Sequence, residues 1–210
     1  YRQGYEPTSF ASIAEAVGIS RGNFYYHFKT KDEILAAVIE ARLASTRRML
    51  DCWQQSAASP LERVRRFVEI VVTNRGDIEN YGCPVGTLTN ELAKLEHPLR
   101  AHAAGVFDIF RHWLRAQFEA LGRAADADDL ALYVLSFSQG TATLSNALGV
   151  RDYVQREVDR FNGWLSEQFP DSTSHQENPD VRHPASLLGQ PGTGVRAHGR
   201  TSRVDRKGRR

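Results

Sequence analysis

From Phe10 to Phe169 the apolar residues of this chain recur every three to four positions, and that period limits its fold more than any other feature. Phe10, Ile13, Ala14 and Val17 fall on one face of a short helix. A long helix runs through Ile34, Leu35, Val38, Ile39, Leu43, Met49 and Trp53, and another through Val64, Phe67, Val68 and Val71. Shorter and longer successors pass through Leu88, Leu92 and Leu95, then from Val106 to Phe118, Leu130 to Leu148, and about Arg151 to Phe169. No alternating Val/Ile/Thr run bounded by Asn-Gly or Asp-Gly turns interrupts them. The expected class is all-α.

Local signals punctuate the period. Gly18 supplies a left-handed stop, and Ser20 can cap a helix over about Arg21–Phe28. Thr30 and Glu33 form a capping box, and Pro60 after Ser59 takes the favoured first position of a helix. Breaks are expected at Tyr81–Gly86 and at His97-Pro98. Asp126, Asp128 and Asp129 favour a helix start through the dipole.

Composition changes near Phe169. Residues 170–210 hold four of the eight prolines, few large apolar groups and no helical period, so they are expected to be a disordered tail. Eight Lys/Arg against four Asp/Glu make that tail basic; it either adds phosphate affinity or is simply solvated. No apolar run approaches the roughly 18 residues that span a bilayer, so no membrane partner is expected. Two cysteines, Cys52 and Cys83, make no disulfide framework, and no secretory leader is evident, which together favour the cytoplasm. The chain opens at Tyr1 and its single methionine is Met49, so its start reads as truncated.

Two short helices joined by a turn containing Gly18 form a helix-turn-helix over 9–28. The outward face of the second carries Arg21, Gly22, Asn23, Tyr25, Tyr26 and His27, groups that donate to phosphates and base edges where plain solubility would use Glu and Lys. Gly22 permits close approach of the backbone to a duplex, and Asn23 can reach an adenine edge.

The run from Gly4 to Leu35 resembles the DNA-binding segment of TetR-family transcriptional regulators: Ile13-Ala14-x-x-x-Gly18, then Gly22-x-Phe24-Tyr25-x-His27-Phe28, then Lys31-x-x-x-Leu35. Gly82-Cys83-Pro84-Val85-Gly86-x-Leu88 is similar to one subgroup. The resemblance implies base reading by Asn23 and Tyr26, phosphate contacts from Tyr25, His27 and Lys31, and backbone contacts near Ser9 and Ser20. Alternatives stay open: Tyr25 as a packing residue, His27 as a buried structural histidine, Lys31 as a solvated charge of its first turn, Arg21 as a surface charge. Members of the family begin with a further helix; without its cover Ile13, Val17 and Phe24 would be looser.

Residues 47–169 are slightly acidic and rich in aromatics, unlike a nucleic-acid surface. Helical bundles build ligand cavities between facing helices, and Phe67, Val71, Leu88, Phe110, Trp113 and Phe137 are the expected lining for a small-molecule effector, with ordinary core packing as the alternative. Ser136, Gly140, Thr143 and Ala147 fall on one strip of a helix; the resemblance implies a homodimer interface there, against intrachain packing. Cys83, at a helix start, is either an oxidant or electrophile sensor or a small residue filling a turn.

Enzyme chemistry finds no support. His97 and His102 are off metal-ligand spacing, no phosphate loop follows a strand, and no cofactor or metal is expected. The organisation that follows is a DNA-binding segment at 1–46, a regulatory and dimerisation domain at 47–169, and the tail. Its expected role is a ligand-responsive repressor on a palindromic double-stranded DNA operator. The alternative is an α-helical binding or scaffold protein whose truncated reading head cannot bind DNA.

Overall fold

A computed structural model describes residues 1–170, apart from the side chains of Arg21 and Phe24; the expected tail lies outside the described residues. Among the described residues the regular structure is entirely helical: α1 (Phe10–Val17), α2 (Arg21–His27), α3 (Lys31–Ser56), α4 (Pro60–Thr73), α5 (Arg75–Tyr81), α6 (Pro84–Lys94), α7 (Arg100–Ala120), α8 (Ala127–Leu148) and α9 (Tyr153–Gln168).

Each early helix starts on a side-chain cap. Ser9 caps α1 reciprocally with Ser12, and Gly18 ends it in the left-handed region at φ 69°. The Thr30 hydroxyl accepts the Glu33 N–H at 3.1 Å, as expected, but Glu33 reaches one residue further back, to the N–H of Lys29 at 2.6 Å. Ser59 and Glu62 repeat the arrangement, with the carboxylate on the N–H of Ala58 at 2.8 Å. In both, the long Glu side chain satisfies an amide before the cap, which fixes the entry of the preceding loop.

One break was not expected. Asn74 separates α4 from α5. Its side-chain amide shares the Ile70 carbonyl with its own backbone N–H, at 2.9 and 3.0 Å, and its carbonyl accepts the N–H of Ile78 at 3.0 Å. At the start of α8, Asp126 and Asp128 pair with Arg123 and Arg111, and those guanidinium groups hold both carboxyls below the usual range.

Two apolar clusters hold the helices together. The larger joins α4, α5, α7, α8 and α9 through Val64, Phe67, Leu114, Phe118, Val134, Val158 and Leu165 among others. The smaller seats the first half of α3 (Leu35, Ile39, Leu43) against Leu92 of α6 and Ala103 and Val106 of α7. Phe110 packs against both. The expected division at residue 46 falls inside α3, which runs unbroken to Ser56 and belongs to both halves.

Leu114 is fully buried at the centre of the larger cluster. Leu114→Ala should cost about 3 kcal/mol in urea unfolding, the usual range for a leucine cavity that cannot collapse. A loss below about 1 kcal/mol would mean that the helices close over the gap.

Candidate nucleic-acid interface

α1 and α2 pack on each other across the turn at Gly18. The Phe10 ring of α1 stacks on Tyr25 of α2 (centroids 4.9 Å apart, planes at 23°), so Tyr25 is half packed and half exposed. Both of its expected roles, packing residue and outward donor, are open to that one side chain. Tyr26 is 77% exposed, the most open of the described large apolar side chains, and meets His27 edge to face. Gly22, Asn23 and His27 are also exposed. Ser20 accepts the N–H of Asn23 at 3.2 Å and so caps α2. The Arg21 side chain lies outside the described parts.

A seven-residue helix is too short to hold itself, and its two ends are fastened from outside. At the C-terminal end Lys29 donates to the carbonyls of Tyr25 (2.7 Å) and Tyr26 (3.3 Å), satisfying acceptors that the helix leaves unpaired. A basic residue just past a helix end is a readable signal for this. Lys31 is turned inward as well. Its ammonium donates to the carbonyls of Tyr5 (3.1 Å) and Glu6 (3.2 Å) and lies 4.1 Å from the centre of the Tyr5 ring. Ser9, expected near the backbone of a duplex, is exposed and engaged in its capping box. Ile13 is half-buried, while Val17 stands 59% exposed.

The segment before α1 ties this end to the rest. The Tyr5 hydroxyl donates to Asp32, and His97 Nε2 lies 3.3 Å from the same hydroxyl and 3.4 Å from the carboxylate. Because the N–H of Leu99 donates to His97 Nδ1 at 3.1 Å, Nε2 carries the hydrogen. His102 pairs with Glu40 of α3 at 2.6 Å. Both histidines that failed the metal-spacing test thus hold α3. No sequence signal finds contacts across such separations.

The other expected residues are dispersed. Phe67 and Val71 are buried in the larger cluster, where Phe67 meets Phe110 edge to face at 5.1 Å and Phe137 stacks on Phe161 at 4.2 Å. Trp113 packs 6.0 Å from Trp53 and borders a shallow depression with Arg47, Asp51 and His112. Of the six expected lining residues, only Leu88 reaches the cavity of about 210 Å³ between the N-terminal segment, α3, α6 and α7. Cys83 is half-buried and accepts from Gln139 at 3.5 Å. Ser136, Gly140, Thr143 and Ala147 all face outward, and a Cβ on Gly140 would meet only open space. Intrachain packing therefore does not account for that strip. No described helix is long and apolar enough to cross a membrane.

Residues 1–38 match the family model described as bacterial regulatory proteins, tetR family, and residues 60–155 match the LmrA/YxaF-like transcriptional regulator C-terminal domain. An uncharacterized HTH-type transcriptional regulator in the lacX 3' region of Lactococcus lactis is 28% identical over 123 residues, 58% of this chain and 63% of that one. The transcriptional regulator AcuR of Cereibacter sphaeroides is 30% identical over 138 residues, 62% of each chain. The chain thus spans less than two thirds of the length of these curated relatives. A TetR regulator of Legionella pneumophila has the same fold, with a TM-score of 0.67 at 21% identity over 79% of this chain and 88% of that one.

Burial, and then the Asp32 carboxylate, push the Tyr5 phenol up to about 12. The folded state thus favours the neutral phenol. Its contribution to stability is complete below about pH 10, the ordinary tyrosine value, and is lost as the pH rises toward about 12. An alkaline titration followed by tyrosinate absorbance should show a late component that Tyr5→Phe removes. If the two proteins titrate alike, the Tyr5–Asp32 contact is not formed in solution.

Proposed function

Since the chain belongs to the TetR family, whose members are DNA-binding transcriptional regulators and not enzymes, we propose that it is a ligand-responsive repressor acting as a homodimer on a palindromic operator. The observation that carries the reading is the open face of α2: Tyr26, Asn23 and His27 exposed together on a helix fastened by Ser20 at one end and Lys29 at the other. Asn23 and Tyr26 read base edges in the major groove, and Tyr25 and His27 contact phosphates, while Ser9 and Ser20 bring helix starts to the backbone.

The dimer forms on α8. Beside Ser136, Gly140, Thr143 and Ala147, the apolar side chains Leu132, Leu144 and Leu148 are exposed, the last at 60%. Small residues allow close approach of a second copy, and the leucines supply apolar area that a monomer leaves in water. Two-fold symmetry then presents two α2 helices to two half-sites.

The effector opens a site at Trp113, which borders the depression with Arg47, Asp51 and His112; Phe67, Val71, Phe110 and Phe137 pack in the core behind it, and Leu88 lines the separate cavity. The indole N–H of Trp113 is buried without a hydrogen-bond partner, so an effector bearing an acceptor would relieve a standing cost of about 1–3 kcal/mol. An effector that binds better to a conformer with misplaced heads shifts the population off the operator by its differential affinity.

Tyr26→Ala should weaken binding to the selected operator by about 10- to 100-fold in a gel shift at fixed salt, with the fold intact by circular dichroism. Undiminished binding would remove α2 as the reading helix, and wild-type protein that selects no duplex would favour a binding or scaffold role. Gly140→Arg should convert the dimer to a monomer in analytical ultracentrifugation. A dimer that survives it places the interface elsewhere.

A further inference from the structure

We propose that Glu91 of α6 is a positioning residue for DNA reading: its carboxylate clasps the backbone of Gly4–Glu6 and so fixes the reading head to the regulatory helices. The proposal rests on α2 being the DNA-contacting helix.

Glu91 Oε2 accepts the N–H of Tyr5 and Oε1 the N–H of Glu6, each at 2.8 Å. A carboxylate that takes two successive amides, one per oxygen, is a strong and directional clasp. Gly4 makes room for it. That residue sits at φ +82°, and a Cβ there would lie 2.8 Å from Oε2 and 3.0 Å from Oε1. Only glycine suits both the backbone conformation and the space.

The opposite edge of the same two residues is also taken. Their carbonyls accept the Lys31 ammonium from the first turn of α3. Both hydrogen-bonding edges of Tyr5 and Glu6 are therefore occupied, the amides by α6 and the carbonyls by α3. The Tyr5 side chain adds the contacts with Asp32 and His97. Thr8, the residue before the α1 cap, donates its hydroxyl to the Gly4 carbonyl at 2.5 Å. A short run of chain thus joins α6 to both α1 and α3. α6 in turn begins at the Cys83-Pro84 break and packs on α7, so a shift of α6 carries the clasp with it.

Glu91→Ala removes both acceptors. Glu91→Gln keeps the size but retains a single acceptor oxygen and turns an amide NH₂ toward the other N–H. Glu69→Ala, an exposed position on α4, repeats the charge change without the clasp. The 210-residue chain and its variants are tested on duplexes that the wild type enriches from a random pool, against random duplex at the same ionic strength. Hydrogen exchange is read in parallel.

Glu91→Ala should lose about tenfold in affinity for the enriched duplex, the scale of one charge-assisted hydrogen bond, and stay within about twofold of Glu69→Ala on random duplex. Exchange should quicken at residues 4–28 and stay unchanged in α7–α9, with Glu91→Gln between the alanine variant and wild type. Two results overturn the proposal: wild-type specific affinity in both variants, or loss of affinity accompanied by faster exchange throughout α7–α9, the mark of general unfolding. A wild-type protein that enriches no sequence overturns the DNA reading itself and this role with it. That failure shows before any substitution is made, and so is distinct from the other two.

Discussion

The apolar row Leu35–Ile39–Leu43 bears the weight of the whole arrangement. It is buried against α6 and α7, while the same helix starts four residues after α2 ends. Helices of eight and seven residues bury too little surface to fold alone, and their geometry is borrowed from the helix they adjoin. Because α3 continues to Ser56 without a break, the row that anchors it also orients everything before Thr30. The polar pairs His97–Asp32 and His102–Glu40 sit along the same seam, and they add registration to a contact whose main term is apolar burial.

Much of this was legible in the sequence, for reasons that differ by element. The helices announce themselves because each buries one stripe, so their period survives in the residue order; Gly18, Ser20 and Pro60 punctuate where backbone conformation demands it. Asn74 escaped because the interruption is one residue wide and keeps the backbone bonds to Ile70 and Ile78, and asparagine mid-pattern carries no fixed meaning. The exposed face of α2 was readable because residue type and helical phase suffice to define a face. The clasp at Glu91 was not, because it joins residues more than eighty apart through backbone amides that every residue possesses.

The same distinction separates the two faces of α8. Its inward side carries Ala131, Val134, Ala142 and Ser145, small enough for α7 to lie close, and its outward side carries another small set around Gly140. A glycine facing outward earns nothing inside one chain and costs about 1 kcal/mol against alanine. Sequence could name the strip but not say which neighbour it serves; the open space over Gly140 removes the intrachain answer.

Lys29 and Lys31 both spend their ammonium groups on backbone carbonyls. Cations held in that way are less free to replace the counterions condensed on a duplex. These two ammonium groups would contribute less to counterion release than free ones, and the fall of the logarithm of the binding constant with the logarithm of salt would be shallower by their share.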